Sequence, residues 1–328
     1  MLSFSNNILR GLTSFGLEGA FPSSGVVPKT YTARPDDWPV LPIVSTGEQK
    51  FVGLYAVYDA VGQYVALMVS GNYIVDWGDG SSPENVSAGV KAQHEYSYAT
   101  CGGAICSRGY KAVVISVTPQ SGQNITSLSL DQRHSSDVSS AGSQWLDITI
   151  CSRYMTSLVF RGAVTPTIME RVYIIDHAVT NIGLMFAGCT LLTSVPAFDT
   201  GLVTGMGYMF YNCSSLTTVP LFDTGLVTNM SYMFSGCTLL TTVPLFDTGL
   251  VTNMSYMFYD CSSLTSNLMT GTKVDVSVAG EQLSASALNT LFTNLGTVSG
   301  KTITITGNPG AGTCTQSIAT GKGWSVAN

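Results

Sequence analysis

Charge is what this chain has least of. Only 10% of its 328 residues are Asp, Glu, Lys or Arg, against about 25% in an average globular protein. Disordered segments are charge-rich and poor in aromatics. Here 45% of the residues are hydrophobic and 10% aromatic, so an ordered chain is expected, kept in solution by Ser, Thr, Asn and Gly. Basic residues are scarcest: 14 Lys and Arg against 20 Asp and Glu leave a net charge of −6. That excludes the basic stripe of a nucleic-acid-binding surface. Long apolar runs are missing too. No stretch reaches the ~18 uninterrupted apolar residues of a bilayer span, so membrane insertion is not expected. The opening stretch MLSFSNNILRGLTSFGLEGAFPSS has no charged region ahead of an apolar core and is not read as a secretory signal. Histidine occurs three times, as His94, His134 and His177. No His-Glu-x-x-His, G-x-S-x-G or phosphate-cradling glycine loop accompanies it. No catalytic constellation is present, and neither enzymatic activity nor a cofactor is expected.

What the chain does have is a repeat. Units of 24 residues read MFAGCTLLTSVPAFDTGLVTGMGY (185–208), MFYNCSSLTTVPLFDTGLVTNMSY (209–232) and MFSGCTLLTTVPLFDTGLVTNMSY (233–256). A fourth starts at Met257 and fades after Leu264. Within a unit, Met230, Met233, Phe234 and Cys237 fall at i, i+3, i+4 and i+7, which predicts a short helix. Leu216 and Val219 then mark an extended, Thr-rich segment closed by Pro220. Asp223-Thr224-Gly225 predicts a turn, with Asp accepting backbone N–H bonds. One unit cannot bury its apolar face alone, so stacking on neighbours must fold it. Degenerate copies are expected upstream in ITSLSL (125–130), WLDITIC (145–151) and MTSLVF (155–160). Downstream, LSASALNTLF (283–292) predicts a helix, KTITITGN (301–308) a strand, and these with SIATGKGWSV (317–326) a closing cap.

With the MF-x-x-C-x-x-L and FDT-x-x-VTNM signatures in place, residues 179–266 resemble the BspA-type leucine-rich repeats of bacterial surface proteins. The ALNTLFTNLG…GKTITITGNPG…SIATGKGW segment is similar to C-termini of such repeat proteins in phage genomes. In the first half, NYIVDWGDGSS (72–82), HEY (94–96) and GYKAVVISVTP (109–119) resemble the PKD-type β-sandwich, whose members serve as spacers or adhesion modules. Tyr73, Val75 and Trp77 alternate toward one face ahead of a Gly78-Asp79-Gly80 turn. The chain departs from that pattern where ATCGGAICSRG (99–109) inserts two cysteines.

Several motifs invite chemistry. Asp199, Asp223 and Asp247 each open the Asp-Thr-Gly triplet of aspartic proteases. That mechanism needs two carboxylates sharing a proton between two lobes, whereas these repeat one rung apart, so turn capping is the expected role. Cys189, Cys213, Cys237 and Cys261 lack the clustering of a zinc site and read as small buried hydrophobes, so no metal is expected. Pairing of Cys101 with Cys106 stays open. His94 belongs to the sandwich pattern and reads as structural. As binding candidates there remain a tyrosine ladder, Tyr208, Tyr232 and Tyr256 with Tyr211 and Tyr259, and a hydroxyl array of Thr217, Thr241 and Thr265 beside Thr218 and Thr242. Exposed Tyr gives ligand area at low entropic cost. Both rows also fit a merely solvated face.

The expected architecture is mostly β and modular: an N-terminal docking arm (1–45), a PKD-like, immunoglobulin-like sandwich (46–120), a leucine-rich-repeat solenoid with short helices (121–270, clearest at 185–264), and a C-terminal capping repeat (271–328). The resemblances, the low charge and the unrecognised export signal imply a phage virion surface protein, a tail fibre or capsid decoration, assembled in the host cytoplasm. It would meet other virion proteins through the arm, engage a host cell-surface glycan or protein through the solenoid, and work as a homo-oligomer. A purely structural cement protein and a bacterial surface adhesin are the alternatives.

Overall fold

The computed structural model describes residues 36–328 except 61–62, 104, 131, 133, 137–143, 161–170, 191 and 196. The chain divides into units of residues 1–36 and 37–328, and the account below concerns the second. Most of the expected arm over 1–45 lies outside the described residues.

Two sheets open the unit. Their strands are β1 (Lys50–Tyr58), β2 (Gln63–Val69), β3 (Tyr73–Asp76), β4 (Glu84–Val86), β5 (Lys91–Tyr96), β6 (Tyr110–Pro119), β7 (Ser127–Ser129), β8 (Trp145–Ser152), β9 (Ser157–Val159) and β10 (Arg171–His177). One sheet runs β10-β8-β1-β6-β3-β4 and the other β5-β2-β7-β9. Alternation puts Tyr73, Val75 and Trp77 into a core shared with Phe51, Leu67 and Ile115, as the period-2 pattern dictates. After Trp77 the chain turns through Gly78 at φ +75, where a Cβ would lie 2.1 Å from the Val114 carbonyl oxygen. Only glycine fits there.

The expected boundary at 120/121 is not a break. β7 pairs with β2 and β8 with β1, both antiparallel, while β9 and β10 continue these same sheets in parallel. The parallel step settles at 24 residues from Ile148↔Val172 and Ser157↔Asn181 onward. The repeat therefore grows directly out of the sheets, and the three upstream segments expected as strands form β7, β8 and β9.

In its described part, residues 36–45, the arm expected over 1–45 has Trp38, Leu41 and Val44 buried against Val52, Leu54, Tyr110 and Leu146 on the outer face of the first sheet. The Asp37 carboxylate accepts the Ser107 N–H. Spacing of three residues buries this side and leaves Val40 and Ile43 exposed.

The second half is a β-solenoid of about seven turns. Asn181, Gly205, Asn229 and Asn253 bridge in parallel from coil to coil. Identical side chains therefore form columns. Phe186, Phe210, Phe234 and Phe258 stack at 5.4, 5.7 and 6.1 Å with ring planes within 11°. Met, Cys, Leu and Val columns run beside them, fully buried.

The short helix expected over Met230–Cys237 does not form. Its four apolar residues are all buried, but the backbone is a run of turns with Tyr232 at φ 55 and Gly236 at φ 79. Met233, Ser235 and Cys237 donate to the residue three back, whereas Tyr232, Phe234 and Gly236 donate to Ser255, Met257 and Tyr259 of the next coil. Alternate N–H groups pointing along the stack leave no i→i−4 ladder, which is what an α-helix requires.

At the C-terminal end the helix expected from 283–292 and the strand expected from 301–308 both form. β11 (Thr242–Val243) and β12 (Ser266–Asn267) pair in parallel, then β13 (Val276–Ser277), β14 (Lys301–Thr304) and β15 (Trp324–Ala327) form a parallel sheet. Between them α1 (Ala285–Asn294), capped by the Ser284 side chain, buries Leu288, Leu291 and Phe292. α2 (Ser317–Thr320) precedes β15. No helix among the described residues is long and apolar enough to cross a membrane.

Candidate functional site: the tyrosine face

Each coil places one residue at a fixed left-handed position: Leu184 (φ 64), Tyr208 (φ 60), Tyr232 (φ 55) and Tyr256 (φ 55). For a residue with a Cβ this costs roughly 1–2 kcal/mol. The N–H it turns toward the next coil offsets that, Tyr208 donating to Ser231 at 2.8 Å and Tyr232 to Ser255 at 2.9 Å. The same geometry sets the side chains in register. Tyr208 and Tyr232 stack at 4.6 Å and 10°, Tyr232 and Tyr256 at 4.9 Å and 22°. Tyr211 meets the stack edge-on, 5.6 Å from Tyr208 and 6.4 Å from Tyr232, and Tyr259 lies edge-on to Tyr256 at 6.2 Å.

All five sequence-derived candidates thus share one surface. Tyr208, Tyr211 and Tyr232 are half-buried, while Tyr256 and Tyr259 are 58% and 65% exposed. Partial burial, then the neighbouring Tyr208 and Tyr256, raise the Tyr232 phenol above its ordinary pKa. The face offers aromatic area and hydroxyl hydrogen-bonding groups.

The threonine array is committed elsewhere. Thr217, Thr241 and Thr265 donate Oγ1–H to the carbonyls of Thr193, Thr217 and Thr241, one coil back, at 3.1–3.2 Å. The exposed row of Thr204, Thr228 and Thr252 does the same. Their repetition ties coils together. The aspartates of the Asp-Thr-Gly triplets accept their own turns' N–H groups, from Gly201, Gly225 and Gly249, at 2.8–3.1 Å. Cys213, Cys237 and Cys261 donate to backbone carbonyls at 3.1 Å from inside the core, and burial raises all three thiols. Cys101 and Cys106 are unbridged and occupy separate apolar clusters.

His94 stacks on Trp77 at 5.1 Å, and its Nε2 lies 2.8 Å from Asp79 Oδ2. Tyr96 donates to the Trp77 carbonyl. Burial opposes ionisation of Asp79, but bonds from Ser81 and His94 outweigh it and hold the carboxyl at about 2. This network ties the turn after β3 to β5. Among the described residues no three His, Cys, Asp or Glu side chains converge as metal ligands.

Sequence reasoning missed a second surface. Leu202, Leu226 and Leu250 are 50–58% exposed, and Leu221 and Leu245 55–63%. These leucines flank the Asp-Thr-Gly turns. The signal was present: each precedes or follows a buried apolar partner (Leu226 by Val227, Leu221 by Phe222).

Residues 177–290 match the family described as Mycoplasma protein of unknown function, DUF285. The match covers about a third of the chain. Together with the 24-residue β-solenoid it is compatible with a BspA-type repeat protein. No curated protein and no solved structure matches.

Proposed function

We propose that this chain is a bacteriophage virion surface protein, in a tail fibre or capsid decoration, that attaches to the host cell through the tyrosine face. The observation that carries the reading is the row of stacked, outward tyrosines repeated at coil spacing. Repeated weak contacts raise avidity without one tight site, and homo-oligomerisation multiplies them further. Low charge and the match to a surface-repeat family support it. The PKD-like resemblance of the first sheets fits a spacer that holds the solenoid away from the particle. No catalytic role is assigned.

The test is binding of the full chain to intact candidate host cells, compared with Tyr256→Ala/Tyr259→Ala. Both tyrosines are more than half exposed, so the variant should fold. Saturable binding that weakens on the order of tenfold supports attachment through this face. Unchanged binding sinks it.

A second reading, a cement protein between virion subunits, is favoured by the exposed leucines. An apolar strip of that kind is uncommon on a free monomer. Burial of Leu221, Leu226 and Leu245 in an assembled particle would select it.

A further inference from the structure

The coils are not all alike: they alternate. Tyr211 and Tyr259 are 48 residues apart, and the coils between and before them carry Ser235 and Ala187 at that place. The next position alternates as well, Gly188, Asn212, Gly236 and Asp260, all left-handed at φ 57–79. Packing enforces this. A Cβ on Gly236 would lie 2.3 Å from the Asn212 Oδ1 atom, so a side chain at 236 would have to displace the one at 212. Ser235 is buried at 3% exposure between Tyr211 and Tyr259. The outer tyrosines therefore recur every two coils, about 10 Å along the axis given strand-like spacing.

From this two-coil period we infer that the face binds a neutral, β-1,4-linked polysaccharide lying along the solenoid axis. The inference rests on the attachment reading above and names its ligand class. In a β-1,4-linked chain successive sugars are flipped, so one apolar pyranose face recurs every second unit, at a step close to two coils. Tyr211 and Tyr259 would each stack beneath one such face, with Tyr232 and Tyr256 as the wall beside them. Aromatic rings suit this contact, because they give rigid apolar area with a polar rim. An α-1,4-linked chain curves and loses register after one contact.

Charge and hydrogen bonding point to the same ligand. Between residues 178 and 272 the only ionic side chains are Asp199, Asp223, Asp247 and Asp260, so a polyanion meets repulsion and no cationic partner. Asn229 and Asn253 spend their Oδ1 atoms on the N–H groups of Ser231 and Ser255. That leaves their amide N–H groups as donors to sugar hydroxyls at the coil spacing.

The experiment is calorimetric titration of the full chain with cello- and chito-oligosaccharides of two to six units, with malto-oligosaccharides as the α-linked comparison. Binding of a β-linked series is expected to strengthen in steps of two sugars. Tyr211→Ala/Tyr259→Ala should weaken it on the order of tenfold or more, with an unchanged thermal midpoint, and Tyr259→Phe should retain it. Should the double variant unfold, Tyr259→Ala alone carries the test, since that side chain is 65% exposed. Equal binding of both linkages, affinity that ignores chain length, or no binding overturns the inference. Cell attachment without glycan binding leaves the attachment reading standing and removes only this ligand. Glycan binding without cell attachment does the reverse.

Discussion

Glu281 is a buried carboxyl whose protonation couples to folding. It is 1% accessible, neither carboxyl oxygen has a hydrogen-bond partner, and burial raises its pKa well above the carboxylate range. It lies where the cap meets the last coil, with Gln282 donating to the Leu264 carbonyl and the Cys261 thiol nearby. The unfolded chain releases this proton near pH ~4.3, whereas the folded chain keeps it to higher pH. The folded state then binds more protons, so stability is full below that value and falls as pH rises toward the folded pKa. Glu281→Gln should remove this loss. Its thermal midpoint should exceed wild type more at pH 8 than at pH 5, and an equal difference at both would refute the assignment. Cysteine reactivity follows burial in the same way. Seven thiols are buried and Cys314 is partly exposed, so iodoacetamide on native protein should label Cys314 first, with all eight labelled in denaturant.

For the repeating element, stability comes from columns and from backbone bonds between coils. Phe234 stacks on Phe210 and Phe258 and is fully buried. Phe234→Ala should cost about 3–5 kcal/mol in urea unfolding. Gly236→Ala tests the alternation: it strains a φ of +79 and meets Asn212 Oδ1, for a loss of roughly 1–3 kcal/mol. Part of that loss should return in Asn212→Gly/Gly236→Ala, because two neighbours sharing one space couple. Additive effects would show that the coils do not interlock there. This element is also where the sequence misled. The spacing of Met230, Met233, Phe234 and Cys237 marks which residues face inward, but a wound turn with alternate N–H groups bonded to the next coil buries the same four. Periodicity reports burial, and the partner coil decides the backbone.

Across the whole molecule, β7 to β10 complete both sheets that begin with β1 and β2. A fragment ending at residue 120 would strip Trp145, Ile148 and Leu158 from the core around Phe51 and Leu67. Such a fragment should show no cooperative melting by circular dichroism. Point substitutions, rather than truncation, are thus the means of testing the solenoid. Coils that touch only their neighbours behave as a linear array, and the shared sheets at one end and α1 at the other supply its boundaries.

Taken alone, the sequence determined the 24-residue period, the buried columns, the capping aspartates and the tyrosine row, because a repeat must place like beside like. It also marked the strands that became β7, β8 and β9. Tertiary structure alone decided that the inward turn is not a helix, that Trp38, Leu41 and Val44 cover this chain's own sheet, and that the threonine hydroxyls bind carbonyls. Tertiary structure also exposed the leucines and locked alternate coils through Asn212 and Gly236. Each of these depends on where a neighbouring coil or sheet puts its backbone, and that is set by residues on other elements rather than by local pattern.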